Sequence, residues 1–142
     1  MKQFLLTVTF AVMLIFTNTC AAQDVWGGRW SQASGTDYYI MDETIRDTTP
    51  PSAHDYRNFE VSIKLVNNGQ VEDILTYSYS QARVHNTTPR CEDPWEYHLV
   101  RRQNEPVPPT VDSYMVGAVD KIFELSMEKL GWSYTIRNGH YY

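Results

Sequence analysis

Apolar and polar positions alternate most cleanly over residues 59–79. Phe59, Val61, Ile63 and Leu65 recur at every second position, Asn67-Asn68-Gly69 interrupts, and Val71, Leu75, Tyr77 and Tyr79 resume the period. Period-two patterning around turn-forming residues predicts a β-hairpin. A two-residue Asn68-Gly69 turn sets Leu65 against Glu72 and Phe59 against Ser78, mixing apolar and polar side chains on each face. A three-residue loop, with Asn67 and Asn68 helical and Gly69 left-handed, opposes Val61 to Leu75, Phe59 to Tyr77 and Leu65 to Val71 on one face, and Lys64 to Glu72 on the other. Burial of an apolar row outweighs a cross-strand ion pair worth at most about 1 kcal/mol, so this register is the expected one. Asp73 is the misfit on the apolar face, near enough to the loop to reach water.

A third alternating run puts Trp95, Tyr97 and Leu99 on one side and Glu96, His98 and Val100 on the other, which extends the same sheet. The prolines between Asn104 and Pro109 forbid regular structure there. Beyond them a helix is predicted. Thr110 or Asp112 can cap it, Val111, Met115, Ala118, Val119, Ile122 and Leu125 recur with helical spacing, Phe123 and Met127 widen the apolar arc, and Gly131 supplies a C-terminal cap. Trp132, Tyr134 and Ile136 read as a short closing strand, followed by a polar tail from Arg137 to Tyr142. Residues 23–58 are less legible: Tyr38 to Met41 suits a strand, Asp42 to Asp47 is polar, and Pro50-Pro51-Ser52 marks a loop. The expected fold is α+β, an antiparallel sheet of about four strands packed in two layers on one C-terminal helix.

The start of the chain has a different pattern. Met1-Lys2, an apolar run from Phe4 to Phe16 and Cys20-Ala21-Ala22 match a secretory signal peptide over residues 1–22, too short to span a bilayer and ending in small residues suited to cleavage. Residues 23–142 are then expected to form a single secreted globular domain, extracellular and free of the membrane once the leader is cut. With Cys20 in the leader, Cys91 has no partner within that domain, and an interchain disulfide in a homodimer is one expectation for it. Asn86-Thr87-Thr88 is an N-glycosylation sequon in a loop, which makes Asn86 a glycoprotein site in that compartment.

Composition narrows the partners. The chain carries 17 acidic against 12 basic side chains, a net charge of −5, which disfavours nucleic acid and anionic lipid. Its 10 Tyr and 4 Trp all follow residue 22, so the domain depends on side chains that join an apolar body to a polar handle and suit interfaces. Arg83, Arg90, Arg101 and Arg102 make the middle of the chain locally basic, a candidate anion patch built from guanidinium forks.

Chemistry-bearing motifs are sparse. His54, His85, His98 and His140 stand at no metal-ligand spacing, and neither a metal site, a cofactor nor a catalytic residue is indicated. Gly28-Arg29-Trp30 resembles the Gly-x-Trp that opens the first strand of lipocalins, and that resemblance implies a β-barrel carrier of an apolar ligand. The function expected from these features together is a secreted, non-enzymatic binding or extracellular-matrix-associated protein whose partner is an extracellular protein or glycan. A small lipocalin-like carrier and a small secreted enzyme, the latter gathering a His such as His98 with a carboxylate, are the alternatives.

Overall fold

A computed structural model describes residues 23–81, 93–103, 105–108 and 118–142. Six strands run as an antiparallel meander in chain order: β1 (Val25–Ser31), β2 (Thr36–Asp47), β3 (Asn58–Asn67), β4 (Gln70–Ser80), β5 (Glu96–Arg102) and β6 (Glu105–Pro106). Among the described residues one helix, α1 (Ala118–Leu130), accompanies the sheet, so the fold is α+β, its main sheet having six strands where about four were expected. The less legible residues 23–58 supply β1 and β2, and β2 contains the strand expected at Tyr38 to Met41. β2 continues through the polar stretch Asp42–Asp47 because its pairing with β3 is irregular between Met41 and Arg46. Thr44 bridges that irregularity: its hydroxyl donates to the Met41 carbonyl at 2.7 Å and accepts from the Ser62 amide at 2.8 Å. A side chain that replaces backbone pairing in this way leaves no period-two trace in the sequence. The short β6 carries Pro106 at the sheet edge, where a missing N–H costs no ladder bond.

The central hairpin corrects the expected register. Asn68 and Gly69 form a two-residue turn with φ of 49° and 77°, the left-handed pair that matches strand twist. Asn67 pairs with Gln70 and Val66 with Val71, then a bulge at Glu72 shifts the ladder so that Leu65 meets Asp73, Ile63 meets Leu75, Val61 meets Tyr77 and Phe59 meets Tyr79. Apolar positions oppose one another as burial demands, but the bulge in β4 does this work and the loop does not. Lys64 accordingly faces Ile74, not Glu72, and its ammonium pairs with Asp24. Asp73 is held by Arg102 at 2.9 Å and accepts the Ile74 amide, while Glu72 accepts from Thr36 and Asn67.

The face shared by Tyr38, Ile40, Phe59, Val61, Ile63, Leu75, Tyr77 and Tyr79 is buried against Ile122, Phe123, Ser126 and Met127 of α1. The core is aromatic. Phe59 stacks on Tyr79 with centroids 4.6 Å apart, and Phe123 lies at the centre, 5.5 Å from Trp95, 5.4 Å from Tyr134 and 4.6 Å from Tyr141. The surplus Tyr and Trp read as interface residues are thus largely core. Helix α1 ends as expected at Gly131, with φ 67° and the Trp132 amide donating back to the Met127 carbonyl at 2.9 Å. The candidate caps Thr110 and Asp112 lie outside the described residues.

The C-terminal tail departs most from expectation. Residues 132–135 form no strand, and the last residues fold back as a second, two-stranded sheet of β7 (Ile136–Arg137) and β8 (His140–Tyr141) around a left-handed Asn138-Gly139 turn. Tyr141 is only 6 % exposed, and its carbonyl accepts the Trp95 amide at 2.9 Å, docking the hairpin beside the start of β5.

β1 and β6 are the two edges of the main sheet, so among the described residues it stays open and does not form the closed barrel that the Gly-x-Trp resemblance implies. Gly28 instead sits at a bulge in β1, with φ 139°, and Trp30 packs edge-on against Tyr38.

Candidate functional site

Three chain segments meet at the end of the sheet where β3 starts, β4 finishes and β5 begins. The first is a clamp between strands: the Arg57 amide donates to Gln81 Oε1 and the Gln81 amide donates to the Arg57 carbonyl, each at 3.2 Å. Gln81 is buried, so this reciprocal pair fixes the Arg57 backbone. The second segment is the helix cap, which delivers Trp132 directly after Gly131. The third is the C-terminal hairpin, whose base is closed by two bonds between Thr135 and Tyr142, at 2.9 and 2.8 Å.

Two clefts open where these segments converge. One, of about 410 Å³, is lined by Arg57, Gln81, Trp95, Tyr134, Arg137 and Tyr142 among others. The other, of about 480 Å³, shares Arg57 and Gln81 and is bounded by Trp132, His54, Asp47 and Asp55. Both fall in the size range of small-ligand sites.

The guanidiniums in this groove are held by rings. Arg57 lies 4.9 Å from the Trp132 ring centre and Arg137 lies 4.0 Å from that of Tyr142. Trp132 in turn stacks near Trp95, centroids 6.3 Å apart. Such a cation–π contact contributes about 0.5–1 kcal/mol at an exposed site and uses the face of the guanidinium charge without consuming an N–H donor in a hydrogen bond. Outside the groove, Arg29 pairs with Asp37, Arg46 with Glu60, Lys64 with Asp24, Arg102 with Asp73 and Lys129 with Asp42, while Lys121 lies over the Trp26 ring, 5.5 Å from its centre, and Arg101 lines the cleft on the sheet face opposite α1. Among the described residues, neither Arg57 nor Arg137 has a carboxylate partner. In a chain with more acidic than basic groups, two arginines outside any ion pair therefore line one cleft, and Asp47 and Asp55 border the adjoining cleft that Arg57 shares.

The sheet face opposite α1 holds a second polar cluster. Arg46, Glu60, Ser78 and His98 form one row across β2 to β5, each directly opposite the next. His98 Nδ1 and Glu96 Oε2 are buried without hydrogen-bond partners among the described residues. Burial lowers the pKa of His98, with Glu60 and Glu96 pulling in the opposite direction. A cleft of about 290 Å³ on this face is lined by Arg46, Glu60, Ser62, Thr76 and Arg101.

Of the anion patch, Arg101 and Arg102 are exposed on β5, Arg102 already paired with Asp73, and both lie towards the far end of that strand from Trp95. Arg83 and Arg90, together with Asn86, Cys91 and His85, lie outside the described residues. His54 borders the second cleft, whereas His98 and His140 stand on different sheets. The described residues include no group of three or more His, Cys, Asp or Glu placed to hold a metal ion, and no helix among them is long and apolar enough to cross a membrane.

Sequence reasoning missed Arg57 and Arg137. Arg57 precedes its strand and carries no periodic signal. Arg137 and Tyr142 fall in the expected polar tail, although Asn138-Gly139 between two short runs is the dipeptide that favours a tight hairpin. Comparison of the chain with protein-family models, with curated proteins and with solved structures yields no match.

Proposed function

We propose that this protein is a secreted binding module that holds an extracellular partner in the groove formed by Arg57, Trp132, Arg137 and Tyr142. The observation that carries this reading is the pair of ring-stacked guanidiniums without carboxylate partners in one cleft. Fixed donors on a rigid frame bind at low entropic cost. The frame is the strand clamp, the helix cap and the docked hairpin, all anchored in the aromatic core.

Secretion rests on the leader at residues 1–22. A glycan on Asn86 and an interchain disulfide through Cys91 belong to the same reading, and intact mass of the secreted protein with and without reductant and glycosidase tests all three. For the groove itself, an immobilised panel of extracellular glycans and peptides is probed with wild type, Arg137→Ala and Trp132→Ala. The expected result is a ligand retained by wild type and lost by both variants. A ligand retained equally by all three proteins contradicts the groove.

A further inference from the structure

Resting on that reading, we propose that the groove takes the terminal residue of an acidic glycan, a sugar ring bearing one carboxylate or one sulfate, with the ring-stacked guanidiniums of Arg57 and Arg137 on its anionic group. The donor set selects the anion. A guanidinium presents parallel N–H donors that match two oxygens of a carboxylate or sulfate, and contact with the Trp132 and Tyr142 rings holds both guanidiniums at the groove.

The rest of the lining selects a sugar over an acidic peptide. Gln81, Ser133, Tyr134 and Thr135 bring amide and hydroxyl groups into the same cleft as the two arginines, a suitable surround for a polyhydroxylated ring. Trp95, Tyr134 and Tyr142 add aromatic rings to the lining of this open cleft of about 410 Å³, of the size that holds a compact ligand. The net charge selects a chain end over a long polyanion. With a net charge of −5, the molecule repels an extended run of sulfates or an acidic protein surface, while a single anion placed against two guanidiniums experiences mainly the local attraction.

The test is calorimetric titration of the secreted protein with glucuronic acid, galactose 6-sulfate, glucose and an acetylated Asp-Glu peptide, repeated with Arg57→Gln, Arg137→Gln and, as a control outside the groove, Arg29→Gln. The expected result is heat of binding for glucuronic acid or galactose 6-sulfate, weakened about tenfold by each groove variant and unchanged in Arg29→Gln. The two acidic sugars separate carboxylate from sulfate recognition, and binding of either one supports the proposal. Arg57→Lys, which keeps the charge but removes the fork, is expected to bind more weakly than wild type. Binding of glucose or of the peptide in preference to both acidic sugars, lost in Arg57→Gln, overturns the ligand class and leaves the binding groove standing. Binding indifferent to Arg57→Gln and Arg137→Gln, or no binding of any probe, overturns both.

Discussion

The ring of Tyr38 occupies the space a side chain at Gly27 would need: a Cβ there would stand 1.9 Å from Cε2 of the ring. Gly27 lies at the bulge in β1 between Trp26 and Gly28, and Tyr38 on the neighbouring strand is buried in the core beneath it. Gly27→Ala is expected to lower stability by about 1–3 kcal/mol through overpacking. Urea unfolding checks this, with a lower midpoint and an unchanged slope. A wild-type midpoint would mean that the ring moves aside at no cost.

Phe123 is the side chain on which strands, helix and hairpin converge, with rings from Phe59, Tyr79, Trp95, Tyr134 and Tyr141 around it. Phe123→Ala is expected to cost about 3–5 kcal/mol, the range for deleting a buried ring. Near-ultraviolet circular dichroism should lose intensity at the same time, because the surrounding rings lose their fixed environment. A small loss of stability with an unaltered spectrum would contradict this central position.

The pair between Lys129 on α1 and Asp42 on β2 spans helix and sheet at 2.9 Å, yet the lysine side chain is half exposed. Asp42→Asn is expected to change stability by less than about 1 kcal/mol, as exposed ion pairs do. Thermal unfolding of the variant beside wild type measures it, and a loss comparable to that of Phe123→Ala would show that the pair, not the aromatic core, fastens the helix.

His98 gives the fold a pH dependence. Burial holds its imidazole pKa below the ordinary value, so between that lowered pKa and about 6.5 the unfolded chain binds a proton that the folded protein does not. Stability from this group is therefore complete above the unfolded pKa and declines as pH falls through the window. His98→Gln is expected to flatten the decline, read as the difference in urea midpoint between pH 7.5 and pH 5. An equal or steeper decline in the variant would assign the effect elsewhere.

Elements whose apolar residues recur at every second position were legible in the sequence. β3, β4 and β5 and the end of α1 at Gly131 follow from period and cap, with burial alternating along β3, where Phe59, Val61, Ile63 and Leu65 face one core. The register of the hairpin was not legible in detail, since a bulge at Glu72 and a three-residue loop restore the same parity and only geometry separates them. β2 beyond Met41 was hidden by Thr44, whose hydroxyl replaces regular pairing. The groove was the least legible part. Its arginines owe their role to rings distant in sequence for Arg57 and Trp132, and to an overlooked Asn138-Gly139 turn for Arg137 and Tyr142.

The groove is tested most directly by the arginine Nε–H and tryptophan indole signals in a ¹H–¹⁵N spectrum of the secreted protein titrated with glucuronic acid and with galactose 6-sulfate. The expected result with one or both is movement of the Arg57, Arg137, Trp132 and Trp95 signals while those of Arg29, Arg46, Arg102 and Trp26 stay in place. Movement confined to Arg101 and Arg102, or no movement with either sugar, would contradict the account.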